Sequence, residues 1–120
     1  MKAEPNMGQQ AEQWAECYLQ QQGLVLITKN YSCRRGEIDL IMQDQQALVF
    51  VEVRYRNSST FGSALESVDR KKQAKLIFTA EHYLQQQESS FTAYRFDVIA
   101  ITHKNNKPSI TWVKDAFQVN

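Results

Sequence analysis

The sequence predicts a single α/β domain in which a mixed central β-sheet carries helices on both faces, in the order αβββαββ. Three observations predict it. Two stretches repeat apolar residues at helical spacing, five shorter ones run apolar or alternate as strands do, and the strand–helix–strand step between Ala47 and Thr102 suits a parallel crossover. The 120 residues, 42% apolar and 22% charged, fit one domain spanning 1–120 that can bury a core without metal or disulfide staples.

Helix one runs over about Gly8–Gln22, because Ala11, Trp14, Ala15, Tyr18 and Leu19 follow i, i+3, i+4, i+7, i+8 spacing and Gly23 is a plausible stop. Leu24–Asn30, Gly36–Gln43 and Ala47–Arg54 are strand-like segments parted by Ser32–Arg35 and Asp44–Gln46, which predicts an antiparallel meander. Asn57–Ser63 is a loop by composition. Ser63-Ala64-Leu65-Glu66 has capping-box spacing, and Leu65, Val68, Leu76, Ala80, Tyr83 and Leu84 then mark one helix reaching about Gln87. Thr92–Thr102 reads as a long strand, Lys104–Pro108 as a turn and Ile110–Val113 as a short closing strand.

Fourteen basic and thirteen acidic residues leave a net charge of +1, so no global field advertises a nucleic acid or membrane partner. The distribution is less even: Lys29–Lys75 holds nine basic and six acidic residues. Met1–Gln10 is polar and reads as neither a signal nor a transit peptide, and the longest apolar run, Ala47–Val51, is too short to span a membrane. Cys17 and Cys33 stand far apart without metal-ligand spacing, which fits free thiols in a cytoplasmic protein.

Acids inside apolar strands need an explanation. A hairpin turning at Gln45-Gln46 sets Asp39 against Glu52 and Glu37 against Arg54, with Cβ atoms roughly 5 Å apart. Two opposed carboxylates repel unless a cation or a shared proton relieves them, and oxygen-only ligands suit Mg²⁺ or Mn²⁺. The alternative is a pair of exposed acids, each matched to Arg34, Arg35, Arg54 or Arg56; a one-residue slip would part them altogether. Glu12 falls at the edge of helix one's apolar stripe. Lys72 and Gln73 lie about 40° and 60° to either side of Leu76, on the packing side of their helix, where a lysine and an amide can reach a ligand at the sheet edge.

Asp39 followed by Glu52-Val53-Arg54 resembles the PD-(D/E)XK nuclease signature. Together with Gly36-Glu37-Ile38-Asp39-Leu40-Ile41, Val49–Arg56, Phe61-Gly62, Lys72-Gln73 and Arg95-Phe96-Asp97-Val98, the chain resembles the YraN-like family of small bacterial proteins, described as similar to archaeal Holliday junction resolvases. The resemblance runs from about Gly8 to Phe117. It implies a restriction-endonuclease-like core, Asp39 and Glu52 as metal ligands with the Val53 carbonyl, and a contribution from Glu12 at the same site. By the same resemblance a homodimer is expected. Arg54 stands where the signature usually has lysine, and a guanidinium that stays protonated cannot act as a general base, although it can orient water or neutralise phosphate charge.

The expected function is therefore Mg²⁺- or Mn²⁺-dependent hydrolysis of DNA, branched or single-stranded. Asp39, Glu52, Arg54 and Lys72 would carry the chemistry. Lys29, Arg34, Arg35, Arg56, Arg70, Lys71, Gln73 and Lys75 would contact the nucleic acid. The rival reading is a non-catalytic nucleic-acid-binding or protein-interaction module on the same fold, favoured by Arg54 and the near-zero net charge.

Overall fold

The computed structural model describes residues 7–56, 61–87, 91–104 and 107–119, and of residues 61–63 and 104 the backbone alone. Helix α1 (Met7–Gln21) buries Ala11, Ala15 and Leu19 and half-buries Trp14 and Tyr18, the stripe its spacing predicts. Gly23 ends it with a left-handed φ of 98°: its N–H donates to the Gln20 carbonyl, and the Leu24 N–H reaches back to Leu19, both at 3.0 Å. This is the glycine-dependent Schellman closure, with Leu19 and Leu24 joined in one apolar cluster.

Strands β1 (Val25–Cys33), β2 (Gly36–Asp44) and β3 (Ala47–Arg56) form the antiparallel meander. β4 (Ala93–Lys104) lies parallel to β3, and β5 (Lys107–Phe117) closes the sheet antiparallel to β4, in spatial order β1-β2-β3-β4-β5. β5 is far longer than the Ile110–Val113 segment its apolar residues mark, since backbone pairing extends beyond the alternating core. The expected loop residues 57–60 and turn residues 105–106 lie outside the described residues.

The expected order αβββαββ needs one correction, because the chain makes two helices where one is predicted. α2 (Phe61–Glu66) is separate from α3 (Arg70–Gln86). Asp69, not Ser63, caps the long helix: its side chain accepts from the Lys72 N–H at 2.9 Å while Ser63 sits inside α2. Three short-range bonds turn the chain between them, Ser67 Oγ to the Ala64 carbonyl, the Val68 N–H to Leu65, and the Gln73 amide to Val68. The pattern of Leu65, Val68 and Leu76 survives the break because Val68 and Leu76 pack in the same cluster.

Helices cover both sheet faces. Leu40, Met42, Val49, Val51, Ile99 and Ile101 bury against α1, whereas Ile41, Leu48, Phe50, Phe96 and Val98 bury with Leu76, Ala80 and Tyr83 of α3. Alternation along β3 therefore sends Glu52 and Arg54 to the α3 face, and Val53 and Tyr55 to the α1 face.

Candidate functional site

The β2–β3 ladder follows the expected register from Asp44↔Ala47 to Leu40↔Val51, then stops. Across the neighbouring pair, on β1, Asn30 opposite Asp39 adopts a left-handed φ of 55°. Asparagine tolerates that conformation better than other side chains. Beyond it the ribbon rolls over. Leu40 packs on the α1 face, but Ile38 and its partner Tyr31 pack on the α3 face, although strand alternation would keep residues 38 and 40 together.

Asp39 sits at that roll. Its Oδ2 accepts from the Val53 N–H at 2.8 Å, a side chain bonding where the ladder's backbone partner is gone. The predicted Glu37–Arg54 opposition is not formed for the same reason: the ladder has ended, Glu37 pairs with Ser32 in β1, and Arg54 binds elsewhere. Asp39 and Glu52 do come together, near enough for the Asp39 carboxylate to act on the Glu52 carboxyl.

Glu52 is 5% exposed and receives two cations on one oxygen, Arg54 Nη2 at 2.9 Å and Lys72 Nζ at 3.4 Å from Oε2. Burial, followed by the charge of Asp39 and the hydrogen bond to it, pushes the Glu52 carboxyl up to about 8, although Lys72 and Arg54 pull the other way. At neutral pH this buried side chain therefore favours its protonated form. Arg54 Nε is buried with no hydrogen-bond partner, a donor left open beside the acids.

A pH-dependent stability follows. Between its ordinary value of 4.5 and about 8, the folded protein holds a proton at Glu52 that the unfolded chain has lost. Stability should accordingly fall as pH rises through this window, by at most about 1.4 kcal/mol per pH unit. Urea unfolding in chelator across that range should show the slope in wild type and its loss in Glu52→Gln. An equal slope in the variant would place its source in another group.

Glu12 stays apart from the pair. It lines a groove of about 280 Å³ with Gln9, Glu16, Lys29 and Asn30 on the α1 side, where burial and then the charges of Asp39 and Glu37 raise its pKa. Among the described residues no three His, Cys, Asp or Glu side chains stand close enough to share an ion.

Uncharacterised protein family UPF0102 matches residues 11–101, a stretch that includes Glu12, Asp39, Glu52, Arg54 and Lys72. The chain belongs to UPF0102. A UPF0102 protein from Nitrosococcus oceani is 51% identical over 113 residues, covering 93% of this chain and 91% of the relative. One from Psychromonas ingrahamii is also 51% identical, over 98% of this chain and 94% of its own. A third, from Nitrosomonas europaea, is 49% identical and covers 98% of both. The sequence resemblance to this family holds across nearly the whole UPF0102 chain.

The basic residues expected to contact nucleic acid do not share one surface. Lys29 faces the α1 groove, 3.7 Å from Glu16, and Arg56 donates to the carbonyl of Tyr55. Arg70 and Gln73 border a groove between α3 and β5 with Ile77 and Phe117. Arg34, Arg35, Lys71 and Lys75 lie instead where the β1–β2 turn meets α3, with Arg35 over the Phe78 ring.

Asp97, part of the sequence pattern that carried the resemblance, has a role that no strand motif discloses. It is fully buried and accepts from Arg95 Nε at 3.0 Å, Trp112 Nε1 at 2.9 Å and the Asp115 N–H at 2.9 Å. The β4–β5 register shifts between Phe96 and Val98, and Asp115 has a left-handed φ of 52°. Asp97 thus accepts the Asp115 backbone N–H beside this irregularity and satisfies the Arg95 and Trp112 side-chain donors as well. Arg95 also reaches Asp44 at 3.0 Å, and these two acids outweigh its burial to raise its already high pKa. In the UPF0102 chain this network holds the sheet; it faces β5, not the acid pair.

Proposed function

We propose that this protein is a metal-dependent nuclease-like hydrolase of DNA phosphodiesters, acting in the cytoplasm on branched or single-stranded DNA, on a restriction-endonuclease-like core. One observation carries the reading: the buried Glu52 and the half-buried Asp39 meet in the gap where β2 and β3 part, with two cations against Glu52. Acids merely exposed on a wet sheet face would have no reason to be there.

The donor set fits Mg²⁺ or Mn²⁺. Asp39 and Glu52 supply carboxylate oxygens, and the Val53 carbonyl projects to the same strand edge as the Val53 N–H that Asp39 accepts. An ion would displace the Glu52 proton. When bound there, a divalent ion supplies Lewis acidity and eases ionisation of water.

The chain's own cations do the rest. Arg54 and Lys72 now bind Glu52, and both stay close enough to neutralise charge on the phosphate's non-bridging oxygens as it builds. Lys72 brings from α3 the ammonium that the signature usually carries on the strand. Cutting a four-way junction symmetrically requires two such sites, which a homodimer would supply.

Incubation of branched, single-stranded and duplex DNA with Mg²⁺ or Mn²⁺ tests the activity. Arg54→Ala should cut on the order of a hundred-fold more slowly with little change in binding, whereas Arg54→Lys should keep or raise the rate. An alanine variant as fast as wild type would pass the charge-stabilising role to Lys72. Cleavage by none of the three proteins would favour the non-catalytic module.

A further inference from the structure

Along α3, Lys71, Lys75, Phe78 and His82 recur at spacings of four, three and four, which sets them on one narrow strip of the helix, beside the buried arc of Leu76, Thr79 and Tyr83. The β1–β2 turn lies against this strip. Gly36 is so near that an added Cβ would stand 3.0 Å from Thr79 Oγ1 and 3.5 Å from Lys75 Cβ. The Arg35 guanidinium sits 4.9 Å above the Phe78 ring, and the Tyr31 hydroxyl is 2.6 Å from His82 Nδ1.

Phe78 is nonetheless 40% exposed. A large apolar ring is thus held at the surface among Arg34, Arg35, Lys71 and Lys75, none of which forms an ion pair among the described residues. The strip begins beside Lys72, whose ammonium touches Glu52, and Phe78 stands roughly 9 Å further along the helix axis.

We propose that this flank seats an unpaired nucleic-acid strand leading to the acid pair, with bases stacked on Phe78 and the Arg35 plane and phosphates on Lys71 and Lys75. The cations alone would serve a duplex equally well. The exposed ring decides against it, because base faces inside a duplex are already covered by their neighbours, whereas a single strand offers every base face to an aromatic side chain or a guanidinium. Binding needs neither metal nor cleavage; only its purpose rests on the nuclease-like reading.

Fluorescence anisotropy in chelator, with a short labelled oligodeoxythymidine and a blunt hairpin duplex, separates the two. Wild type should bind the single strand more tightly than the duplex. Phe78→Ala should weaken single-strand binding by about ten-fold while leaving duplex binding unchanged, and Phe78→Trp should restore it. Lys75→Gln should lower the salt slope for the single strand by about 0.7. Wild-type affinity in Phe78→Ala, or preference for the duplex, would overturn the assignment. Strand binding of the expected kind by a protein that cuts no DNA would uphold it and overturn the nuclease-like reading alone.

Discussion

Asp39→Asn should lose Mn²⁺ binding by more than about a hundred-fold and cut no DNA, yet melt at the same temperature as wild type or above it. The two halves have separate causes. Loss of a partner that merely orients a metal ligand already costs ten- to a hundred-fold in affinity, so loss of a carboxylate ligand should exceed it. Stability is spared because the asparagine oxygen can still accept the Val53 N–H at the position where Asp39 does, 2.8 Å away. The substitution also removes the charge that, after burial, most opposes ionisation of Glu52. Calorimetric titration with Mn²⁺ and a thermal melt in chelator measure both. Unchanged Mn²⁺ affinity in a folded variant would take Asp39 out of the site.

Asp97→Ala should have the largest effect on folding. Three donors converge on that carboxylate, from Arg95, the Trp112 indole and the Asp115 backbone, and the variant strands them inside the sheet. Removing one partner of a buried, hydrogen-bonded ion pair costs roughly 3–5 kcal/mol. For a chain of this length that corresponds to a melting temperature lower by on the order of 10–20 °C. Asp97→Asn should fall between the two, since it keeps an acceptor and loses the charge that holds Arg95. A melt of Asp97→Ala within a few degrees of wild type would show that the bulge is held by other contacts.

The two results separate a charge retained for chemistry from one retained for architecture. Asp39 and Asp97 are both acids inside apolar strands, at Leu40-flanked and Phe96-flanked positions, and they look alike in the sequence. The difference lies in their partners. Asp97 is met by a full set of donors from β4 and β5, whereas Asp39 stands beside a second, buried acid, Glu52, whose carboxyl is pushed up despite two nearby cations.

Much of the fold was legible in the chain because it is written in local periodicity. The α1 stripe, the Gly23 stop, the turn at Gln45-Gln46 and hence the register from Leu40 to Asp44 follow from spacing and turn chemistry within a few residues. That register brought Asp39 toward Glu52, and helical geometry turned Lys72 toward the sheet. The sequence by itself therefore determined the mixed α/β class, the meander, the family and the residues that meet at the acid pair.

Tertiary structure decided the rest, since those features depend on groups distant in the chain. The split of the predicted second helix at Ser67–Asp69 leaves its apolar pattern intact, so only the capping bonds reveal it. The β2–β3 ladder ends at Leu40, beside the roll of the β1–β2 ribbon at Asn30, and its end withholds the Glu37–Arg54 pair. The protonation of Glu52 arises from burial beside Asp39, and the division of the basic residues among three surfaces arises from helix and turn placement. A residue's spacing says which face it occupies; its electrostatic state depends on what other chain segments bring within hydrogen-bonding distance and on how much water they exclude.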